Sequence, residues 1–180
     1  AALCGCQPQG KDLLKDNLIF SGSQLSYALS CADSALANNP GKQWGFPRLI
    51  PRTEEKDGAL RLVSSHDWCC GFFPANLWLM YEYSGEDKWK HAADRFSWSI
   101  EDAKFNAGSH DLGFMIYCPF GNAYRLTGDN RYKEVALQAA KTLSTRFNPV
   151  VGCIRSWDFN KQRWQFPVII DNMMNLELLF

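Results

Sequence analysis

The chain has 180 residues, 46% of them apolar, and its 19 basic and 19 acidic side chains cancel to a formal net charge of zero. A chain of this length can bury on the order of 70% of its unfolded surface around one core, but it has no basic block to supply the positive field that nucleic-acid binding needs. No run approaches the roughly 20 consecutive apolar residues of a membrane-spanning helix.

At the N-terminus, Leu3-Cys4-Gly5-Cys6 reads as the end of a bacterial lipoprotein signal, with Cys6 as the lipidated residue and Gln7-Pro8-Gln9-Gly10 opening a tether. Residues 1–23 are assigned to this remnant and tether. The expected location is a bacterial cell envelope, lipid-anchored and facing the periplasm; a chance cysteine pair is the alternative. The other five cysteines lack the C-x-x-C spacing of a zinc site, and in apolar runs a free thiol acts as a small hydrophobe.

A first helix is expected over 24–38, ended by Asn38-Asn39-Pro40-Gly41. The stretch 40–72 is rich in Pro, Gly and charge and reads as a long loop, functional or partly structured. Helices follow near 74–84, 86–102, 112–127 and 130–147, and from 170 onward. Pro119 predicts a kink or a late start within 112–127. The chain stops inside the apolar run Leu176-Glu177-Leu178-Leu179-Phe180, which reads as a truncation.

The helices repeat. Ser84-Gly85-Glu86-Asp87-Lys88-Trp89-Lys90 parallels Thr127-Gly128-Asp129-Asn130-Arg131-Tyr132-Lys133, and Ala93 and Ala136 keep the same offset. Each segment ends one helix on a glycine suited to positive φ and opens the next with capping residues. Each unit is thus a helical hairpin, and the hairpins follow one another as an open solenoid or a closed ring. The first helix of each hairpin is apolar throughout and the second is amphipathic, so the first should line the inside. An inner ring of helices wrapped by an outer one is an α/α toroid, an all-α fold.

In that arrangement Trp68, Asp111 and Asp171 each precede an inner helix, and these helix starts share one face of the ring. Helix N-termini there favour anionic ligands. Taken singly, Asp111 and Asp171 read as helix caps. Taken together, they read as the two carboxyl groups of glycoside chemistry, which sit about 5–9.5 Å apart. His110 is placed to bind substrate or tune a carboxylate, or else to satisfy backbone. His66-Asp67 repeats the His-Asp pair one hairpin earlier and reads as architectural. Trp68 and Trp157 are candidates for stacking on a sugar ring, with core packing as the alternative; Trp78, Trp89 and Trp98 are assigned to the core. No G-x-S-x-G, G-x-x-x-x-G-K or H-E-x-x-H motif occurs, and three scattered histidines argue against a metal site. No metal and no cofactor are expected.

Four segments carry a resemblance: Trp68-x-x-Gly71-Phe72-Phe73-Pro74, His110-Asp111-Leu112-Gly113-Phe114, Ser156-Trp157-Asp158, and Ile170-Asp171-x-Met173-Met174-Asn175-Leu176. In order and spacing they resemble the N-terminal half of the unsaturated glucuronyl hydrolases, glycoside hydrolase family 88. The resemblance implies a toroid of six hairpins, about half of it present. It also implies hydration of the C4=C5 double bond of the unsaturated uronic acid that polysaccharide lyases leave at a nonreducing end. By motif match, Asp171 would be the general acid/base and Asp111 the second carboxylate. His110, Trp68 and Trp157 would bind the sugar. The implied partner is an unsaturated uronate-terminated oligosaccharide derived from a glycosaminoglycan, with no nucleic acid, no obligate protein partner, and a membrane only through the lipid anchor. Three alternatives stand beside this reading: an unsaturated rhamnogalacturonyl hydrolase, a sugar-binding lipoprotein without catalysis, and a helical-repeat interaction protein.

Overall fold

The computed structural model describes residues 10–38 and 41–180. Cys6, the expected lipidation site, lies outside the described residues. Helix α1 spans Gly10–Ala37, so residues 10–23, assigned to the tether, form the first part of this helix. Ser21-Gly22-Ser23, just before the expected start at 24, does not interrupt it. The Ser21 and Ser23 hydroxyls bond back to the carbonyls of Asn17 and Phe20, at 2.8 and 2.7 Å, and do not compete with the helix. Gly22 passes close to the Met80 side chain.

The stretch read as a long loop holds two antiparallel hairpins, which the sequence reading missed. Strands β1 (Lys42–Gln43) and β2 (Phe46–Pro47) join through Trp44-Gly45, both at positive φ, as a tight right-twisted hairpin requires. Strands β3 (Ile50–Glu54) and β4 (Leu60–Val63) pair with an irregularity between Pro51 and Thr53, and they bury Ile50 against Val63. Proline inside β3 and charge along the segment mask its strand pattern.

The helical hairpins form as expected. Helix α2 (Phe72–Ser84) leads into α3 (Asp87–Trp98) and then a 3₁₀ turn, Glu101–Phe105. A second long helix runs through Gly113–Gly121 and continues as α4 (Asn122–Thr127), followed by α5 (Asn130–Ser144). The two turns match closely. Gly85 and Gly128 sit at φ 70° and 71°, and each donates its N–H to a tyrosine carbonyl one turn back, Tyr81 or Tyr124, at 2.8 Å. Ser84 and Thr127 occupy the same place, each hydroxyl accepting the N–H two residues on at 3.2 Å.

Pro119 does not delay the helix. The segment Gly113–Gly121 is wound as π-helix, a widened winding that appears where the ordinary ladder is interrupted. The proline ring has no N–H to donate, and the Asn122 side-chain amide donates to the Cys118 carbonyl at 2.8 Å within the same stretch.

Trp78, Phe96, Phe120, Leu112 and Met115 lie at the centre of the core with essentially no exposed surface. Burying side chains of this size contributes about 1.5–3 kcal/mol each. Trp78 and Trp89 are core residues, and Trp98 stacks on Tyr132, as assigned. Helices α3 and α5 put Trp89, Ala93 and Phe96, and Tyr132, Val135 and Ala139, against that core and keep charge outside. The architecture is that of part of an α/α toroid. A third short hairpin, β5 (Phe147–Asn148) with β6 (Cys153–Ile154), leads to α6 (Asn172–Asn175) and a last 3₁₀ turn, Leu176–Leu179.

Candidate active site

Three stretches of chain converge at the start of the π-wound helix. His110 and Asp111 lie just before Gly113, Ser156 follows β6, and Asp171 precedes α6. Ser156 binds the first two stretches together. Its carbonyl accepts the His110 N–H at 3.3 Å, its own N–H donates to the Pro167 carbonyl at 2.8 Å, and its hydroxyl accepts the Ile169 N–H at 3.1 Å.

Two asparagines then fasten α6. Asn175 accepts the Phe114 N–H on its side-chain oxygen at 2.9 Å, and the Asn172 amide nitrogen donates to the Ile154 carbonyl at 2.8 Å. Both are buried. Gly113 makes the contact possible, because a Cβ built there would fall 2.6 Å from the Asn175 Cα.

The result is a compact trio. One nitrogen of His110 and one carboxylate oxygen each of Asp111 and Asp171 lie within 4.8 Å of one another. Neither aspartate caps its helix. Asp171 occupies the N-cap position of α6 but makes no cap hydrogen bond, and Asp111 stands outside the cap of its helix. The Asp111 Oδ2 accepts the Ser109 hydroxyl at 2.6 Å, and its Oδ1 faces His110 Nε2 at 3.5 Å. Asp171 Oδ1 is buried and has no hydrogen-bond partner. A carboxylate oxygen without a donor is free to hold a proton.

Among the described residues this trio is also the one cluster whose atoms have the donor spacing of a cation site. Its imidazole, however, is already engaged by Asn172 on one nitrogen and faces Asp111 on the other. A histidine between two carboxylates has the groups that acid–base chemistry uses.

The two candidate tryptophans flank this trio differently. Trp68 is about half exposed, and its ring meets Phe72 edge-on at 5.9 Å and Phe114 at 6.3 Å. It offers an open aromatic face beside the helix that Asp111 precedes. Trp157 follows Ser156 directly, but its ring stacks on Phe159 at 5.2 Å and meets Trp164 edge-on. Its indole N–H is buried without a partner. His66 and Asp67 stay apart from the trio, as architecture: His66 stacks on Phe46, and Asp67 lies 3.4 Å from Arg52.

Residues the sequence reading did not single out complete the frame, Ser109, Arg146 and Asn172, together with Asn175, which it quoted in the fourth segment without a role. Arg146 is buried behind the site and donates to the carbonyls of Ala107 and Arg155 and to Asp158 Oδ2, the last at 2.9 Å. Burial works to raise the Asp158 carboxyl, but Arg146, with Arg155 and Lys161, outweighs it and holds the group below its ordinary range. Asn172 follows Asp171 directly, but nothing in the sequence alone marks it as a partner of His110. Arg146 left no signal in a single sequence.

No protein-family profile matches the chain. A curated unsaturated glucuronyl hydrolase of Formosa agariphila is 49% identical over 146 residues, which is 81% of this chain and 36% of that protein. An unsaturated chondroitin disaccharide hydrolase of Streptococcus pneumoniae is 32% identical over 139 residues, 75% of this chain and 35% of that one. Among solved structures, an unsaturated glucuronyl hydrolase specific for heparin superposes with a TM-score of 0.77 at 44% identity, over 93% of this chain and 41% of its own. The chain thus spans about a third of the length of the curated relatives it matches.

Proposed function

This chain is homologous to a portion of the unsaturated glucuronyl hydrolases, and on that premise we propose that the protein to which it belongs releases an unsaturated uronic acid from the nonreducing end of lyase-generated, glycosaminoglycan-derived oligosaccharides. The observation that carries this reading is the pairing of Asp111 with Asp171 around a buried imidazole, with neither carboxylate spent on capping a helix.

The double bond of such a sugar is an enol ether, because the ring oxygen sits on C5. Asp171 delivers its proton to C4, and positive charge develops over C5 and the ring oxygen. The ionised Asp111 stabilises that charge and orients the ring. Water then adds to C5 as the Asp171 carboxylate takes a proton from it, which restores the acid. The product is a hemiketal at C5. It opens to a ketone, the hemiacetal left at C1 collapses to an aldehyde, and the aglycone departs with its proton. One water is consumed, and the enzyme ends as it began. Trp68 offers the exposed face on which the sugar stacks.

The test uses the complete protein that contains this segment. Ultraviolet absorbance of the conjugated double bond is followed on unsaturated chondroitin, hyaluronan and rhamnogalacturonan products. Absorbance should fall on the glycosaminoglycan substrates, and Asp171→Asn should slow that fall by roughly 10²–10⁴-fold with circular dichroism unchanged. An unchanged rate in Asp171→Asn, or turnover of none of these substrates, rules the assignment out.

A further inference from the structure

The His110 ring is buried and meets a polar group at each nitrogen. Nδ1 contacts the side-chain oxygen of Asn172, and Nε2 faces Asp111 Oδ1 at 3.5 Å. Asp171 Oδ1 lies 4.0 Å from the same Nδ1. Asp111 and Asp171 are the charged groups that face this ring.

The far end of the Asn172 amide decides the chemistry. It points at the Ile154 carbonyl oxygen, 2.8 Å away. A carbonyl can only accept, so the end facing Ile154 must be the amide nitrogen, and the amide oxygen must face His110. That oxygen can also only accept, so the nitrogen it meets carries the hydrogen. Asn172 and His110 are both buried, so bulk water does not compete for either group.

We propose that Asn172 is a positioning residue that holds His110 in its Nδ1–H tautomer and keeps that N–H away from Asp171. Which ring nitrogen of a histidine is free is set by the bond its other nitrogen makes. Here the free one is Nε2, so the exchangeable proton lies at the junction between His110 and Asp111. The hydroxyl of Ser109 already occupies the far oxygen of Asp111. Asp171 Oδ1 receives no hydrogen bond from the imidazole, so that carboxylate is left free to carry a proton. The division of labour between the two carboxylates therefore originates in one amide. The tautomer follows from the geometry alone; its catalytic consequence rests on the function proposed above.

The experiment uses the complete protein with ¹⁵N-labelled histidine and long-range ¹H–¹⁵N NMR. His110 is assigned by the signals that vanish in His110→Gln. As the pH is raised until the ring is neutral, the proton should leave Nε2 and remain on Nδ1. In Asn172→Leu, which keeps bulk but removes the acceptor, the neutral ring should turn to the Nε2–H form that Asp111 can accept. Asn172→Asp retains an acceptor and should keep Nδ1–H. A neutral Nε2–H ring in the wild type overturns the proposal, as does an unchanged Nδ1–H ring in folded Asn172→Leu. If Asn172→Leu does not fold, the wild-type and Asn172→Asp spectra decide it. In the absorbance assay, kcat of Asn172→Leu should fall roughly tenfold or more with KM nearly unchanged. A protein that turns over no substrate removes the functional reading and leaves the tautomer result standing.

Discussion

Arg146 is the buried cation on which the loop behind the site hangs. It satisfies two backbone carbonyls and one carboxylate at once, and its ion pair with Asp158 is partly shielded from water. In the folded chain the Asp158 carboxyl is held below its ordinary range; unfolded, it returns to about 3.9. A carboxyl depressed in this way contributes stability that is fully present above the unfolded value and is lost as pH falls through the folded one. Urea midpoints should therefore decline as pH drops below about 4, and Asp158→Asn should be less stable than wild type at pH 7 yet show a shallower acid decline. Equal acid slopes in the two proteins would remove Asp158 from the account. Asp111 and Asp171 could be picked out from sequence because a carboxylate before an apolar helix is a local pattern. Arg146 could not, since its partners at 107, 155 and 158 come together only in three dimensions.

The decisive element contact is the close pass of α6 over the first turn of the π-wound helix. Gly113 lies almost against the Asn175 backbone, and any side chain there must push the two apart. Gly113→Ala should destabilise by about 1–3 kcal/mol, as overpacking does, and should also separate Asp111 from Asp171. Gly22→Ala is the opposing case: the site in α1 has room for a methyl group, and replacing glycine inside a helix gains up to about 1 kcal/mol. Thermal unfolding of the two variants should shift in opposite directions, and a shift of the same sign would refute the close-pass argument. The hairpin turns were legible because Gly85 and Gly128 each follow a hydroxyl residue and precede an acidic one. The strands at 42–63 were not, because they are short, carry proline and charge, and bury only a few side chains. The π winding was not legible either: Pro119 announces a disturbed ladder without saying how the chain resolves it.

Over the whole molecule, the apolar surface is unevenly distributed. Ile170, Met173, Met174 and Phe180 are exposed around α6, and Leu13, Leu14, Ile19 and Phe20 are exposed on α1. Exposed apolar side chains clustered along one short stretch give a surface on which apolar molecules can settle. The 180-residue chain expressed alone should bind an apolar fluorescent dye, and Ile170→Lys with Met173→Lys should reduce that signal. Unchanged dye binding in the double variant would locate the sticky surface elsewhere. The alternation of apolar and amphipathic helices made the toroid readable at this scale, because it is a periodic property of long segments. The exposed patches depend on how the elements pack, which no period reports.

The bonds that join His110 to Asn172 and Phe114 to Asn175 span 62 and 61 residues of chain. Closing a loop of that length costs roughly 3–4 kcal/mol in chain entropy before any contact repays it, whereas the α2–α3 turn closes locally. The helical hairpins therefore have reason to form early and the carboxylate pair late. On partial opening by heat, the contacts that pair the two aspartates should be lost before the helices that close locally, and the His110 ring signals should change ahead of the circular dichroism.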